Sequence, residues 1–365
     1  MTRLHDLYTQ QRQSPWLDNL RRSWLHSGEI QEWIDAGVRG ITSNPSIFQK
    51  AIESAVEYDE QFFAAIAAGS SVEDTYWQLV MSDISEALAL LRPTFDESAQ
   101  TDGFVSVEVS PALAHDQAGT EEAARFLWNE IDAPNLLVKI PATQAGVGAV
   151  RTAISEAISV NVTLIFSLDR YDAVIDAYIE GLEQLLERGV TDLSGVNSVA
   201  SFFISRVDSE VDARLQALDT EEATALIGTA AVAQGQLAYE LAMKRFSGAR
   251  WERLAQHGAR IQRPLWASTS TKNPSFPDTK YVDDLIGPDT VNTIPDPTLV
   301  AFQDHGTVAR TLDADLAGAR DRWERLGELV DLVDVAEKLE REGVASFMKA
   351  FDELLEVLEK KAAAS

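Results

Sequence analysis

The chain of 365 residues contains no cysteine. This excludes disulfides, zinc–thiolate sites, iron–sulfur clusters and cysteine nucleophiles. It also lacks any run of about 18 apolar residues, the length that a membrane-spanning helix requires. The N-terminus, MTRLHDLYTQQRQS, has no apolar segment typical of a secretory signal. We therefore expect a cytoplasmic protein that has no membrane partner.

Basic residues are scarce. Lys and Arg total 31 against 58 Asp and Glu, a formal net charge of −27. Such a surface repels phosphate backbones, so we expect no nucleic acid partner. An anionic metabolite would have to be bound by a few local cations. Solubility or a salty habitat would explain the acidity without any ligand.

Paired histidines and glycine-rich phosphate loops are also missing. The five histidines are scattered, with no HxxxH or HxH pair, which argues against a metal site and against a Ser–His–Asp triad. No GxGxxG motif follows the first strand-like run, which argues against an open doubly wound sheet. We expect neither a metal nor an organic cofactor.

Short apolar runs alternate with longer stretches of helical spacing. The strand candidates are residues 15–19, 37–44, 104–110, 136–142, 160–166, 198–205, 263–269 and 291–295. The clearest helix candidates are residues 121–131, 147–158, 168–189 and 221–246. Eight strands alternating with helices predict an α/β fold, a (β/α)₈ TIM barrel.

The barrel is expected to form a single domain over residues 1–365. We predict an N-terminal helix at about 1–13 and amphipathic C-terminal helices at about 310–361. The Pro-, Asp-, Ser- and Thr-rich segment after the seventh strand is expected to be a long loop at the barrel mouth.

Lys139 lies inside the strand-like run LLVKIPAT. A lysine is costly to bury as a cation, and a buried lysine that loses its proton becomes a nucleophile for Schiff-base chemistry. The alternative is that its stem packs while its ammonium group reaches water.

Side chains alternate between the two faces of a strand, and several candidate strands have one mixed face. The residues that share such a face are Ser106 and Glu108, Leu137 and Lys139, Asn161, Thr163 and Ile165, and Ser201 and Phe203. We expect these faces to point into the barrel, with the polar groups near the C-terminal ends of the strands, where such barrels place catalytic groups. Asp18 and Asn44 fit the same placement on the first two strands.

Each polar group also has a simpler interpretation. Glu108 alone is typical of a solvated strand carboxylate, and Thr163 and Ser201 of packed hydroxyls. Asn44 precedes a proline and suits a turn. Asp18 suits the N-cap of a helix beginning near residue 20.

Four motifs together resemble the transaldolase family. They are GITSNPSIF (40–48), VSVEVSP (105–111), LLVKIPAT (136–143) and NVTLIFS (161–167), in this order and spacing. The likeness extends from about residue 14 to about residue 297 and is greatest to the longer bacterial branch. It implies a class I, lysine-dependent aldolase barrel of the pentose phosphate pathway.

The resemblance also implies residue roles. Lys139 corresponds to the Schiff-base lysine, Glu108 and Thr163 to the pair that holds a catalytic water, and Asp18 to the residue that moves the C4 hydroxyl proton. Asn44 and Asn161 correspond to residues that bind the dihydroxyacetone portion.

The remaining implied contacts follow strands six and seven. In SFFISR, Ser201 faces the substrate, Phe203 walls the site and Arg206 binds phosphate, although an ion pair with Asp208 or Glu210 is the alternative for Arg206. The run ASTSTKN (267–273) departs from the ASFRN-like run of shorter members. Lys272, with Ser268 and Ser270, is our candidate for the second phosphate contact.

The implied reaction transfers dihydroxyacetone from sedoheptulose 7-phosphate or fructose 6-phosphate to glyceraldehyde 3-phosphate or erythrose 4-phosphate. Sugar phosphates are thus the expected partners, and we expect a monomer or a homodimer. The alternatives are a fructose-6-phosphate aldolase-type enzyme that releases dihydroxyacetone, a non-catalytic sugar-phosphate-binding barrel, and a helical scaffold with acidic helices.

Overall fold

The computed structural model of the protein describes residues 2–53 and 55–363. Its centre is a closed barrel of eight parallel strands in sequence order, with β8 pairing back to β1. The strands are Gln13–Leu17 (β1), Gly40–Thr42 (β2), Phe104–Glu108 (β3), Leu136–Pro141 (β4), Val160–Ile165 (β5), Ser198–Phe203 (β6), Arg263–Ala267 (β7) and Thr290–Ile294 (β8). Each predicted strand is found, and the predicted (β/α)₈ fold is confirmed.

Helices surround the barrel and extend beyond it. They are Arg3–Gln11 (α1), Arg22–Ser27 (α2), Glu29–Asp35 (α3), Pro45–Ile52 (α4), Asp59–Ala67 (α5), Val72–Glu97 (α6), Gln117–Ile131 (α7), Gln144–Ser155 (α8), Leu168–Glu187 (α9), Ser205–Leu218 (α10), Glu221–Leu226 (α11), Ala230–Arg245 (α12), Gly248–Ala255 (α13), Lys280–Asp283 (α14), Asp296–His305 (α15), Leu316–Leu329 (α16) and Leu332–Ala363 (α17). Short 3₁₀ turns span Val56–Tyr58 and Pro111–Leu113.

Side-chain caps set the starts of the helices that follow the central strands. The Thr143 hydroxyl accepts from the Gly146 N–H at 3.0 Å and begins α8. The Ser167 hydroxyl accepts from the Arg170 N–H at 3.1 Å and begins α9. These caps turn the chain sharply after β4 and β5, which keeps the ends of both strands at the barrel mouth.

The prediction of one helix over 221–246 is wrong. The chain breaks between α11 and α12 at Gly228, whose φ is +74°. The Gly228 N–H donates to the Asp212 carboxylate at 2.8 Å. A glycine in this left-handed conformation ends α11, and the periodicity of the apolar residues does not reveal the break.

The parity prediction is wrong for Ile165, because β5 contains a bulge. Val162 pairs with Ala200, whereas Ile165 pairs with Phe202, so β5 has one more residue than β6 between these two pairs. Leu164 takes up the difference at φ 59°. Ile165 therefore shares the outward face of Phe202 and does not follow Thr163 into the barrel.

The bulge also brings β5 close to the long C-terminal helix. A Cβ at Gly343 of α17 would lie 2.9 Å from the Leu164 side chain. A side chain there would have to displace the end of Leu164, so α17 crosses closely over the end of β5 and covers part of the barrel mouth.

A buried ion pair fixes the segment after β1 to α6. Arg22 donates through Nε to Asp83 at 2.7 Å, and the Tyr58 hydroxyl donates to the other Asp83 oxygen at 2.7 Å. The side chains of Arg22 and Asp83 are 5% and 0% exposed. Because α2 begins at Arg22, this pair sets the position of residues 18–21, which lead from the strand to the helix.

We expect Asp83→Ala to lower the free energy of unfolding by about 3–5 kcal/mol, because it leaves the Arg22 cation buried without its partner. The matched control is Asp96→Ala, which removes an exposed i,i+4 partner of Arg92 on the same helix and is expected to cost no more than about 0.5 kcal/mol. Denaturant unfolding measures both. Equal losses in the two variants would contradict the role given to the buried pair.

Candidate active site

A cavity of about 540 Å³ opens at the C-terminal ends of the barrel strands. Its lining includes the predicted residues Asp18, Asn44, Lys139, Thr163, Ser201, Phe203, Arg206, Ser268, Ser270 and Lys272. Glu108 and Asn161 lie just beneath this surface and hydrogen-bond to lining residues. The structure thus brings all the predicted site residues to one place.

Lys139 lies inside the barrel and is only 4% exposed. Its Nζ donates to the Glu108 carboxylate at 3.0 Å and to the Ser43 carbonyl at 3.2 Å. The parallel register places Glu108 opposite Lys139 on β3 and β4. The amine therefore does not reach bulk water, and it meets the cavity from below.

Burial raises the pKa of the Glu108 carboxyl above its ordinary value, and the positive charge of Lys139 only partly opposes this effect. A carboxylate with a raised pKa holds a proton more tightly than a solvated glutamate does. Glu108 is accordingly suited to take the proton that Lys139 must lose before it can act as a nucleophile.

Asp18 follows the end of β1 and projects into the cavity. Burial raises the pKa of its carboxyl, while the charge of Lys139 and a hydrogen bond from the Thr42 hydroxyl at 2.9 Å lower it. Asp18 does not cap α2, because that helix begins at Arg22 with Arg21 in the N-cap position. The carboxylate is therefore available to accept a proton inside the cavity.

A row of buried hydrogen bonds crosses the barrel below the cavity. The Asn161 amide donates to the Ser106 hydroxyl at 2.9 Å and accepts from the Ser201 hydroxyl at 2.7 Å. Thr163 lies one layer above, and its buried hydroxyl has no hydrogen-bond partner among residues 2–53 and 55–363. That hydroxyl is free to bind a substrate group or a water.

Asn44 lies both in a turn and at the cavity, as the two interpretations of the sequence proposed. Its side-chain oxygen accepts from the Ile47 N–H at 3.0 Å and caps α4. The residue also lines the cavity. The turn interpretation is therefore compatible with a position at the site.

Arg206 lies in the first turn of α10, with its guanidinium 5.1 Å above the Phe203 ring. The alternative ion pairs do not form: Asp208 accepts from Tyr281 and from a backbone N–H, and Glu210 pairs with Arg214 and Lys338. A helix N-terminus favours negative charge. This end of the cavity therefore suits an anion.

Lys272 reaches the same part of the cavity and donates to the Ser270 hydroxyl at 2.6 Å. Burial lowers the pKa of Lys272, and the positive charges of Arg206 and Lys50 lower it further. These cations thus stand close enough to act on one ligand. Ser268 closes this wall through its hydroxyl contact with Ser205 at 3.0 Å.

Several residues that line this cavity were not predicted from the sequence. Lys50 and Arg21 add cations, and Thr42, Thr293, Asn19 and Asp296 add polar groups. Phe347 comes from α17 and lies 5.6 Å from Lys139 Nζ, measured to the ring centroid. No local motif marks Phe347, because only the crossing of α17 over the barrel brings it to the site.

The described part of the chain has neither a cluster of metal-binding side chains nor a membrane-spanning helix. Within residues 2–53 and 55–363, no three His, Asp or Glu side chains are grouped so as to hold a metal ion. In the same part of the chain, no helix has the length and apolarity needed to cross a membrane.

Comparison with known proteins identifies the family. The family model described as Transaldolase/Fructose-6-phosphate aldolase matches residues 15–358. The transaldolase of Parafrankia sp. (strain EAN1pec) is 50% identical over 349 residues, 95% of this chain and 94% of the relative. The transaldolase of Thermobifida fusca is 49% identical over 96% of this chain and 95% of its own, and that of Mycolicibacterium smegmatis is 47% identical over 94% and 93%.

We expect Thr42→Val to raise the pKa of the Asp18 carboxyl further, because the variant removes a hydrogen bond that stabilises the ionised form. The fraction of ionised Asp18 at a given acidic pH then falls. Titration of the Asp18 carboxyl carbon by NMR measures the change, with Ser270→Ala at the rim as the control. A midpoint that is unchanged or lower in Thr42→Val would contradict this account.

Proposed function

The chain belongs to the transaldolase/fructose-6-phosphate aldolase family, and we propose that it transfers a dihydroxyacetone unit between sugar phosphates through a Schiff base on Lys139. Relatives named transaldolase match nearly its whole length at 46–50% identity. Its enzyme class is accordingly that of a transferase, a transaldolase. The observation that carries the residue assignment is the buried Lys139 amine paired with Glu108 at the floor of the cavity.

In the first step Lys139 passes a proton to Glu108, and the neutral amine attacks the ketone carbon of a ketose phosphate. Loss of water from the carbinolamine gives an iminium ion. Thr163, with its unpartnered hydroxyl, and Glu108 hold the water that carries these protons. Positioned proton transfer of this kind contributes roughly 10²–10⁴-fold to the rate.

Asp18 then accepts the proton of the C4 hydroxyl, and the C3–C4 bond breaks. Its electron pair moves into the iminium, leaving an enamine on Lys139 and releasing an aldose phosphate. The enamine adds to the carbonyl carbon of an acceptor aldose phosphate, Asp18 returns its proton to the new hydroxyl, and hydrolysis frees the product. The scheme uses only side chains of this chain and needs no cofactor.

The phosphate group would lie at the other end of the cavity. Arg206 offers a planar donor fork that matches phosphate oxygens, and the N-terminus of α10 and Lys272 stand beside it. We propose sedoheptulose 7-phosphate and fructose 6-phosphate as donors, and erythrose 4-phosphate and glyceraldehyde 3-phosphate as acceptors, since each carries a carbonyl group for the Lys139 end and a phosphate for the Arg206 end of the cavity. Because these substrates belong to central carbohydrate metabolism, we place the enzyme in the cytoplasm.

The second candidate is an aldolase that releases dihydroxyacetone, since the matching family includes fructose-6-phosphate aldolases. Release requires water to protonate the enamine. The aromatic side chains of Phe203 and Phe347 line the cavity that holds Lys139. They limit water near the amine and favour transfer.

Borohydride trapping tests the assignment of the lysine. We expect fructose 6-phosphate and borohydride to yield a covalent adduct that peptide mass spectrometry maps to Lys139. Lys272→Ala should keep the adduct, whereas Lys139→Ala should lose it while remaining folded by circular dichroism. An adduct at another lysine, or none in the unaltered chain, would overturn the proposed mechanism.

We expect Phe347→Ala to increase dihydroxyacetone release relative to transfer, because it opens the space above Lys139 to water. The matched control is Phe351→Ala on the same helix, because Phe351 packs against Tyr76 with 5.2 Å between ring centroids and does not line the cavity. Both changes should cost about 3–5 kcal/mol of stability. Product analysis with and without an acceptor aldehyde measures the ratio, and an equal shift in both variants would remove Phe347 from this role.

A further inference from the structure

A second cavity of about 470 Å³ lies at the opposite, N-terminal end of the barrel. Its walls come from α1, from the starts of the strands and from the segments that precede them. Its lining includes Tyr8, Thr9, Arg12, Arg260 and Arg263. The proposed reaction uses none of these residues.

Positive charge exceeds negative charge around this lower cavity. Arg39 and Arg263 share the single buried carboxylate of Asp102, at 2.8 and 3.5 Å. Arg12 pairs with Asp289 at 2.6 Å. With Arg260, four guanidinium groups stand against three carboxylates, the third being Asp192, which acts on Arg260 without pairing with it. This excess of positive charge occurs in a chain whose net charge is −27.

Arg260 carries the excess charge most directly. It donates to the backbone carbonyls of Ala99 and Gln100 and, at 3.4 Å, to Asn197. Among residues 2–53 and 55–363 it has no carboxylate within ion-pair distance. Burial lowers the pKa of Arg260, the charge of Arg263 adds to this effect, and Tyr178 and Asp192 oppose it. A bound anion would stabilise this partly buried cation in the same way as a paired carboxylate does.

The floor of the cavity combines three apolar side chains with the hydroxyls of Ser14 and Ser198. The apolar side chains are Phe104, Leu137 and Val199, which lie at the starts of β3, β4 and β6. Leu137 and Val199 precede Lys139 and Ser201 by two residues, so they are the inward side chains directly below the catalytic layer. A mainly apolar floor with guanidinium groups at the rim is the usual make-up of a small-molecule site.

We propose that this lower cavity is a second ligand site, which binds a small organic anion with a phosphate or carboxylate head and an apolar body. The head lies against Arg260 and Arg263, whose forked donors match the oxygens of such groups. The body rests on Phe104, Leu137 and Val199. The site is separate from the cavity that holds Lys139.

The test uses phenyl phosphate as the probe and calorimetric titration of the full chain. Thr9 lies on α1 at the cavity rim, exposed, with its hydroxyl bonded only to the His5 carbonyl. Thr9→Glu adds a negative charge there, and Thr9→Gln is the neutral control of the same size. Both are made in an Arg206→Ala chain, which weakens binding at the upper cavity.

We expect Thr9→Gln to bind phenyl phosphate and Thr9→Glu to bind it at least about tenfold more weakly, because the added carboxylate repels the anion. Arg260→Ala should weaken binding similarly, and phenol should not bind. Thr9 is at the far end of the barrel from Arg206, so a difference between its two variants reports only the lower cavity. Equal binding by Thr9→Glu and Thr9→Gln, or no binding by Thr9→Gln, would overturn the proposal.

Discussion

The site depends on one buried pair, Lys139 and Glu108, whose side chains are 5% and 4% exposed. Removing two charges from water costs several kcal/mol for each ion. The pair can lower that cost by moving one proton from the amine to the carboxylate, after which both groups are neutral. Neutral lysine and protonated glutamate are also the forms that Schiff-base formation needs at the outset. In the mechanism that we propose, this transfer to Glu108, whose pKa is raised by burial, is the step that begins Schiff-base formation.

The barrel makes this burial possible in two ways. Side chains alternate between the two faces of each strand, and the sheet closes on itself, so one face of every strand points into the interior. The register of β3 and β4 places Glu108 directly opposite Lys139. Next to this pair, hydrogen bonds join Ser106, Asn161 and Ser201 and satisfy their polar groups. A water-accessible floor would let both charges remain ionised. The packed interior denies them that solvent from below, while α17 and Phe347 limit it from above.

The strands, and most of the site, were predictable because both follow local rules. Alternation along FVSVE, LLVKI and VNVT decides which side chains point inward, and four motifs carry the family resemblance. Phe347 was not predictable, since it reaches Lys139 only through the path of α17, some two hundred residues along the chain. The predictions for Ile165 and for a continuous helix through Gly228 were wrong for a related reason. The bulge in β5 and the left-handed conformation of Gly228 change the path of the backbone, but neither changes the pattern of apolar residues in the sequence.

A net charge of −27 is compatible with anion binding, because repulsion by the surface carboxylates and attraction by arginines in a cavity act at different distances. Repulsion from carboxylates across the surface is screened over about 8–10 Å at physiological salt. Arg206 and Arg260, in contrast, stand inside cavities and form no ion pair with any described carboxylate, while much of the basic surface is tied up in pairs such as Arg250 with Glu183. Each cavity is thus a short-range positive region inside a long-range negative field. A sugar phosphate would therefore gain little binding energy during its approach and most of it on contact. If Arg206 binds the phosphate as we propose, recognition rests on the fit between these two groups and not on electrostatic steering.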